Sequence, residues 1–181
     1  MKKNLKTVLG RLLIAVLLVG AGAFAVRSYR SLEGPPLQPW HTFVPVELEA
    51  SELDAADWSR YVAQEQQIFD SVRANVTQQL EPDARVPYNR YFEGSPVFPP
   101  RFAQDWNRSY VMEPASAPRG VVVLLHGLTD SPYSLRHIAR RYAEHGFVAI
   151  GIRVPGHGTV PAGLTDVRWE DWAAATRLAV R

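Results

Sequence analysis

Two short segments concentrate the residues able to do chemistry, and each follows a run of aliphatic residues. His126-Gly127-Leu128-Thr129-Asp130-Ser131-Pro132 comes after Val121-Val122-Val123-Leu124-Leu125. Arg153-Val154-Pro155-Gly156-His157-Gly158-Thr159 comes after Phe147-Val148-Ala149-Ile150-Gly151-Ile152. His126 and His157 therefore stand at the ends of two candidate strands, close enough to approach each other. Two imidazoles can begin a metal site, but no carboxylate motif accompanies them and HExxH is absent. Hydrogen bonding to loop backbone is the stronger reading, and no metal or other cofactor is expected. Ser131 precedes Pro132 in a helix-cap setting rather than in the strained turn of a nucleophile. Asp166, Glu170 and Asp171 read as helix-start charges favouring the dipole, not as an acid–base pair. Trp169 and Trp172, three apart, are expected to anchor a helix against a sheet. Arg153 is left with two roles: a salt bridge to a sheet-end carboxylate, or a place in a pocket wall.

These segments need a frame. The aliphatic runs predict strands buried on both faces of a parallel sheet. Between them a helix is expected through Leu135, Ile138, Ala139, Tyr142 and Ala143, stopping at His145-Gly146 with the glycine left-handed. His137 and His145 would face solvent on it. Residues 169–181 predict another helix. Strand, helix, strand, loop, helix is half of a doubly wound α/β sheet, whose ligands bind beyond the carboxyl ends of the strands.

Upstream, Ser51-Glu52-Leu53-Asp54 reads as a capping box opening a helix over about 52–80 that Pro82 must end. Its apolar residues Trp58, Tyr61, Val62, Ile68, Phe69, Val72, Val76 and Leu80 fall within an arc of about 120° at 100° per residue. Such a stripe is expected to dock on the body, since its polar face is mixed rather than basic. Residues 82–118 are proline-rich (Pro82, Pro87, Pro96, Pro99, Pro100, Pro114, Pro118) and predict ordered loop with one short strand over 109–112. Asn75-Val76-Thr77 and Asn107-Arg108-Ser109 match the glycosylation sequon, a pattern that arises often by chance.

Residues 33–39 (Glu-Gly-Pro-Pro-Leu-Gln-Pro) form a stiff spacer containing no helix signal, and His41 follows it. Before it, residues 12–26 are 15 uncharged residues behind a basic start. Counted from Thr7 the stretch is 20 residues, about 30 Å of helix, with Arg11 placed to snorkel. Ala21-Gly22-Ala23 and Ala23-Phe24-Ala25 suit signal cleavage, while Arg27, Tyr29 and Arg30 suit the far interface of an uncleaved anchor, the favoured reading. Four cations precede the apolar centre and two follow it, which predicts an exported body.

The chain has 181 residues, 46% hydrophobic and 21% charged, which excludes collagen-like, purely coiled-coil and disordered classes. With no cysteine, disulfides, zinc–thiolate sites and cysteine nucleophiles are excluded. Residues 1–30 hold six cations and no acid; the remainder holds 14 Arg against 18 Asp+Glu, a net −4. That remainder offers no basic field, so no nucleic-acid partner is expected.

The order strand–HGLTDSPYS–helix–HGF–strand–RVPGHGT…RWEDW resembles the first third of a bacterial α/β-hydrolase, and is most similar to the carboxylesterase and monoacylglycerol-lipase branch of these serine hydrolases. The resemblance covers about residues 108–181. Asp57-Trp58 and Arg101-Phe102-Ala103-Gln104-Asp105-Trp106 resemble the N-terminal extension of a membrane-anchored subset. It implies that the Leu128 N–H helps bind the oxyanion of a tetrahedral intermediate, a donor worth about 3 kcal/mol. His126 and Gly127 would position that loop, and Leu128 and Thr129 would touch substrate. GxSxG is absent from these residues, and the fold's chain order of Ser, acid, His places the triad beyond Arg181.

The resulting expectation has three parts: a transmembrane anchor or signal segment (1–30), a linker and helical extension (31–107), and the first part of an incomplete α/β-hydrolase sheet (108–181). The parent would cleave carboxylic esters, lipid esters or acylglycerols among them. The chain alone would be inactive and unstable, needing a missing C-terminal half or a partner chain to complete the sheet. A peptidase or acyltransferase on the same fold, and a non-catalytic membrane-attached binding protein, are the alternatives. The body would lie on the extracytoplasmic side of an inner membrane, or be secreted after cleavage.

Overall fold

The computed structural model describes residues 2–181, so of the basic start only Met1 lies outside the described residues. The chain divides into two compact units, Met1–Leu37 and Gln38–Arg181. The first is the helix α1 (Lys2–Glu33). Within it Val8–Leu32, 25 residues with a most apolar window of mean hydropathy 2.2, is long and apolar enough to cross a membrane. A signal sequence and an anchor both meet that description.

The second unit begins with the short helices α2 (Pro39–Thr42) and α3 (Ala50–Ala55), followed by α4 (Trp58–Asn75). The stretch expected as one helix over 52–80 is therefore interrupted. Ala56 and Asp57 take extended backbone, and the Asp57 carboxylate accepts the Arg60 N–H at 2.7 Å, starting α4 afresh. The cap of α3 also lies earlier than the sequence suggests: the Glu49 N–H donates to Glu52 Oε2 at 3.1 Å. After Asn75 the chain continues as a 3₁₀ turn, Thr77–Gln79. Tyr61, Ile68, Val72, Val76 and Leu80 are buried, so most of the predicted stripe does face protein, whereas Val62 is exposed.

Three strands follow: β1 (Tyr110–Met112), β2 (Gly120–Leu125) and, after a 3₁₀ turn (Pro132–Leu135) and helix α5 (Arg136–Glu144), β3 (Phe147–Ile152). The sheet order is β1-β3-β2. β2 runs parallel to β3, with Leu125 opposite Ile152, and β1 runs antiparallel to it, with Tyr110 opposite Gly151. Helix α6 (Trp169–Val180) closes the chain. This small mixed sheet between helices is compatible with an incomplete α/β fold.

One face of the sheet packs on α5 through Ala139, Ala149 and Leu124. The other, through Ile152, Ile150 and Val123, packs on Leu53, Tyr61, Ala175 and Leu178 of α3, α4 and α6. The expectation that both runs are buried on both faces holds only in part. β3 is central, with Ala149 and Ile152 fully buried, but Val121 is 60% and Leu125 48% exposed. β2 is an edge strand here, and α6 covers it only near Val123. Trp169 corrects a second expectation, because it is 69% exposed. The buried face of α6 is Ala174, Ala175, Leu178 and Ala179; Trp172 lies at its edge, and Trp169 is turned about 60° further out.

The extension and the sheet are joined by one buried charge. Arg153, with no exposed surface, pairs bidentately with Glu47 (2.7 and 2.9 Å) and through Nε with Glu65 (3.0 Å). Ser109 donates its N–H and its hydroxyl to Glu65 and accepts the Arg153 N–H at 2.8 Å. The Tyr61 hydroxyl donates to the Arg153 carbonyl. Burial alone would lower the guanidinium pKa, but the neighbouring charges, Glu47 foremost, hold it above its ordinary value. Removing one partner leaves a buried charge uncompensated, so Glu65→Ala is expected to destabilise the protein by about 3–5 kcal/mol. Arg73→Ala, which breaks the exposed Arg73–Glu93 pair, is expected to cost less than about 1 kcal/mol. Denaturant midpoints of the two variants check the contrast.

Candidate functional site

Parallel pairing of β2 with β3 brings the ends of both strands to one edge of the sheet, and the two loops beyond them meet there. The Val154 N–H donates to His126 Nε2 at 3.0 Å. With Nε2 accepting, Nδ1 carries the proton and donates to the Gly127 carbonyl at 3.1 Å. The imidazoles of His126 and His157 stand edge to face, 5.0 Å between centroids, and His157 in turn meets the Trp172 ring at 5.6 Å. His157 Nδ1 contacts the Pro155 carbonyl at 3.0 Å, which also accepts from the Trp172 indole N–H at 3.1 Å. Loop-backbone bonding, as read from the sequence, accounts for both histidines. Among the described residues no three His, Asp or Glu side chains gather as a metal-ligand set.

The second loop turns on two glycines. Gly156 has φ +81° and Gly158 φ +75°. A Cβ would meet the Gly163 carbonyl at 2.9 Å at the first and the Asn107 carbonyl at 2.7 Å at the second, so both conformation and space require glycine. Glu47 adds to this turn by accepting the Gly156 N–H at 2.8 Å. The choice left open for Arg153 resolves as the salt bridge.

The first loop is a tight turn closed by the Asp130 N–H on the Gly127 carbonyl at 3.2 Å. Leu128 and Thr129 are its central residues, and Thr129 has φ +66°, as the third residue of a type II turn requires. Glycine usually fills that place, so a threonine there stores strain of about 1–2 kcal/mol. Gly127, Leu128 and Thr129 are exposed, and a Cβ on Gly127 would meet no protein atom within 4 Å. Packing does not demand glycine at Gly127; the space before it is open. No acceptor among the described residues takes the Leu128 N–H.

Ser131 is not the side chain that caps the following helix. Its hydroxyl donates to Asn107 Oδ1 at 2.9 Å, and no side chain caps the 3₁₀ turn that follows; Asp130 accepts from the Ser131 N–H and the Ser134 hydroxyl instead. The Ser134 bond, set against partial burial, holds the Asp130 carboxyl below the usual range. Asp171 caps α6 from within, accepting the Arg168 N–H at 2.8 Å and, from α3, the Ala50 N–H at 2.8 Å. His137 and His145 are exposed. A cleft of about 460 Å³ lies beside the two loops, walled by Thr129, Asp130, His157, Thr159, Asn107 and Tyr133. Glu47, Glu65 and Ser109 were not singled out in the sequence. Glu65 alone left a signal, since at 100° per residue it falls inside the apolar arc of α4.

No family model matches the chain. Over 65 residues it is 37% identical to the thermostable monoacylglycerol lipase of Bacillus sp. (strain H-257), a stretch that is 35% of this chain and 26% of that lipase. The chain thus spans about a quarter of the length of the curated relative it matches. The similarity supports a lipase- or esterase-like relationship.

Two outcomes are expected from this geometry. Burial keeps His126 below the ordinary histidine pKa, against the raising effect of its bond to Gly127; His157 and Arg153 add to the lowering and Asp130 opposes it. The unfolded chain then takes up this proton more readily, so stability falls as pH drops below about 6.5. Melting temperatures between pH 7 and 5 should decline, and His126→Gln should flatten that decline. Thr129→Gly, which relieves the turn at some entropic cost, is expected to gain about 0.5–1 kcal/mol, read as a melting temperature higher by about 2–3 °C.

Proposed function

We propose that residues 126–129 supply an oxyanion donor to a serine-type hydrolase of carboxylic esters, acylglycerols among them. The observation that carries this is the Leu128 N–H: without an acceptor among the described residues, just beyond β2, in a loop that His126 ties to the loop after β3. The partial likeness to a monoacylglycerol lipase supports the same chemistry. In this reading, attack on the ester carbonyl places negative charge on its oxygen, and the Leu128 amide, already oriented, stabilises that charge without reorganising. Gly127 leaves room for the tetrahedral centre. The Leu128 side chain, 67% exposed, and Thr129 would line the substrate. The serine nucleophile, its histidine and the triad acid would come from residues other than these 181, which contain no GxSxG. The helix α1 would hold the enzyme at a membrane, with the second unit on the extracytoplasmic side because more cations precede the apolar centre than follow it.

Two measurements test this. Treatment of the native protein with a fluorophosphonate should label a serine outside these residues; absence of any labelled serine would favour the non-catalytic, membrane-attached binding protein instead. Leu128→Pro removes the N–H at a turn position where proline fits. It should lower kcat about 10²–10³-fold with KM little changed and the fold intact. An unaltered kcat would remove Leu128 from the oxyanion site.

A further inference from the structure

The proline-rich loop leaves apolar side chains uncovered around one concavity. Val97 is 47%, Phe102 58% and Tyr133 49% exposed, and all three border a cleft of about 800 Å³ together with Trp106, Arg90 and Arg136. Singly exposed apolar residues are ordinary, but convergence on a concave surface of this size is the character of a ligand site. The loop is also pre-formed. Pro96, Pro99 and Pro100 fix φ, Pro99–Arg101 is a 3₁₀ turn, and the buried Ser95 hydroxyl donates to the Pro87 carbonyl at 2.6 Å while accepting the Val97 N–H at 3.2 Å.

The charges of the wall are unbalanced. Among the described residues neither Arg90 nor Arg136 forms an ion pair. The Arg136 guanidinium carbon sits over the Tyr133 ring, 3.7 Å from its centroid, and that of Arg90 is 5.8 Å from the centroid of the Tyr91 ring. The acid in the wall, Asp105, is already engaged: it accepts from the Asn107 N–H and side-chain amide at 3.0 and 2.8 Å and faces Arg108 at 3.9 Å. The cleft therefore joins an apolar floor to two guanidiniums that lack a carboxylate. It shares Arg90, Asn107 and Tyr133 with the cleft beside the 126–131 loop, so the two are neighbours.

We propose that this cleft binds a free long-chain carboxylate, its chain along Val97, Phe102 and Trp106 and its head on Arg90 and Arg136. Each methylene buried against the apolar wall adds to affinity, and a guanidinium bond to a carboxylate is stronger than a neutral one. Binding needs no nucleophile, so the proposal stands apart from ester cleavage.

The test uses the full chain in nanodiscs of neutral phosphatidylcholine, exposed to palmitate carrying a diazirine in its chain, with cross-linked peptides mapped after photolysis. Labelling of α1 from the lipid serves as internal reference. A labelled peptide within residues 91–108 is expected, weaker by about tenfold in Arg90→Ala/Arg136→Ala and with the methyl ester of the same probe, at constant α1 labelling. Arg90→Glu, an exposed single change, should act in the same direction if the double variant folds poorly. Label confined to α1, equal yield from acid and methyl ester, or capture at 91–108 only when anionic phospholipid replaces the neutral lipid would each overturn the proposal.

Discussion

The second unit depends on a guanidinium that water never reaches. Arg153 follows β3 directly, and its partners Glu47 and Glu65 belong to the extension rather than to the sheet. Desolvating three charges is expensive, and the gain is realised only if every donor and acceptor is met. Here four of the five guanidinium N–H groups find acceptors, both carboxylates take two or more donors, Ser109 mediates between β1 and α4, and the Arg153 backbone is held from both sides by Ser109 and Tyr61. The helices upstream of the sheet are thus integral to the second unit.

That anchoring propagates to the candidate site through short covalent steps. Val154, next to Arg153, supplies the N–H that fixes His126, and Gly156 is held by the same Glu47 oxygen that meets the guanidinium. Two loops that carry no regular structure are in this way positioned by one buried ion cluster and one neutral imidazole. The exposed, strained turn at Thr129 thus projects from a frame held in place by contacts within the protein.

What could be read from the sequence was local. The β2–α5–β3 unit follows from aliphatic runs, helical spacing and Gly146, all within about thirty residues, and the short strand β1 from the Tyr110-Val111-Met112 run before a turn-rich segment. Either Asp130 or Ser131 could have capped by type, but the Ser131 hydroxyl is taken by Asn107, 24 positions away, and neither side chain makes a cap bond. The exposure of Val121 and Leu125 reflects where β2 lies in the sheet, a property that an apolar run does not encode. Trp169 misled because a three-residue spacing is only near the helical repeat. Glu47 was invisible, since nothing in Val46-Glu47-Leu48-Glu49 distinguishes the carboxylate that turns inward from the one that does not.

The separation that hid Glu47 also bears on how the chain comes into being. Glu47 precedes Arg153 by 106 positions and Glu65 by 88. At a synthesis rate of about 5–20 residues per second, the Glu47 carboxylate exists for roughly 5–20 s before its guanidinium has been made. Throughout that interval it must stay hydrated, and α4, whose apolar stripe carries Glu65 at its centre, cannot seat itself without burying a bare charge. The extension is made first and is compelled to fold late.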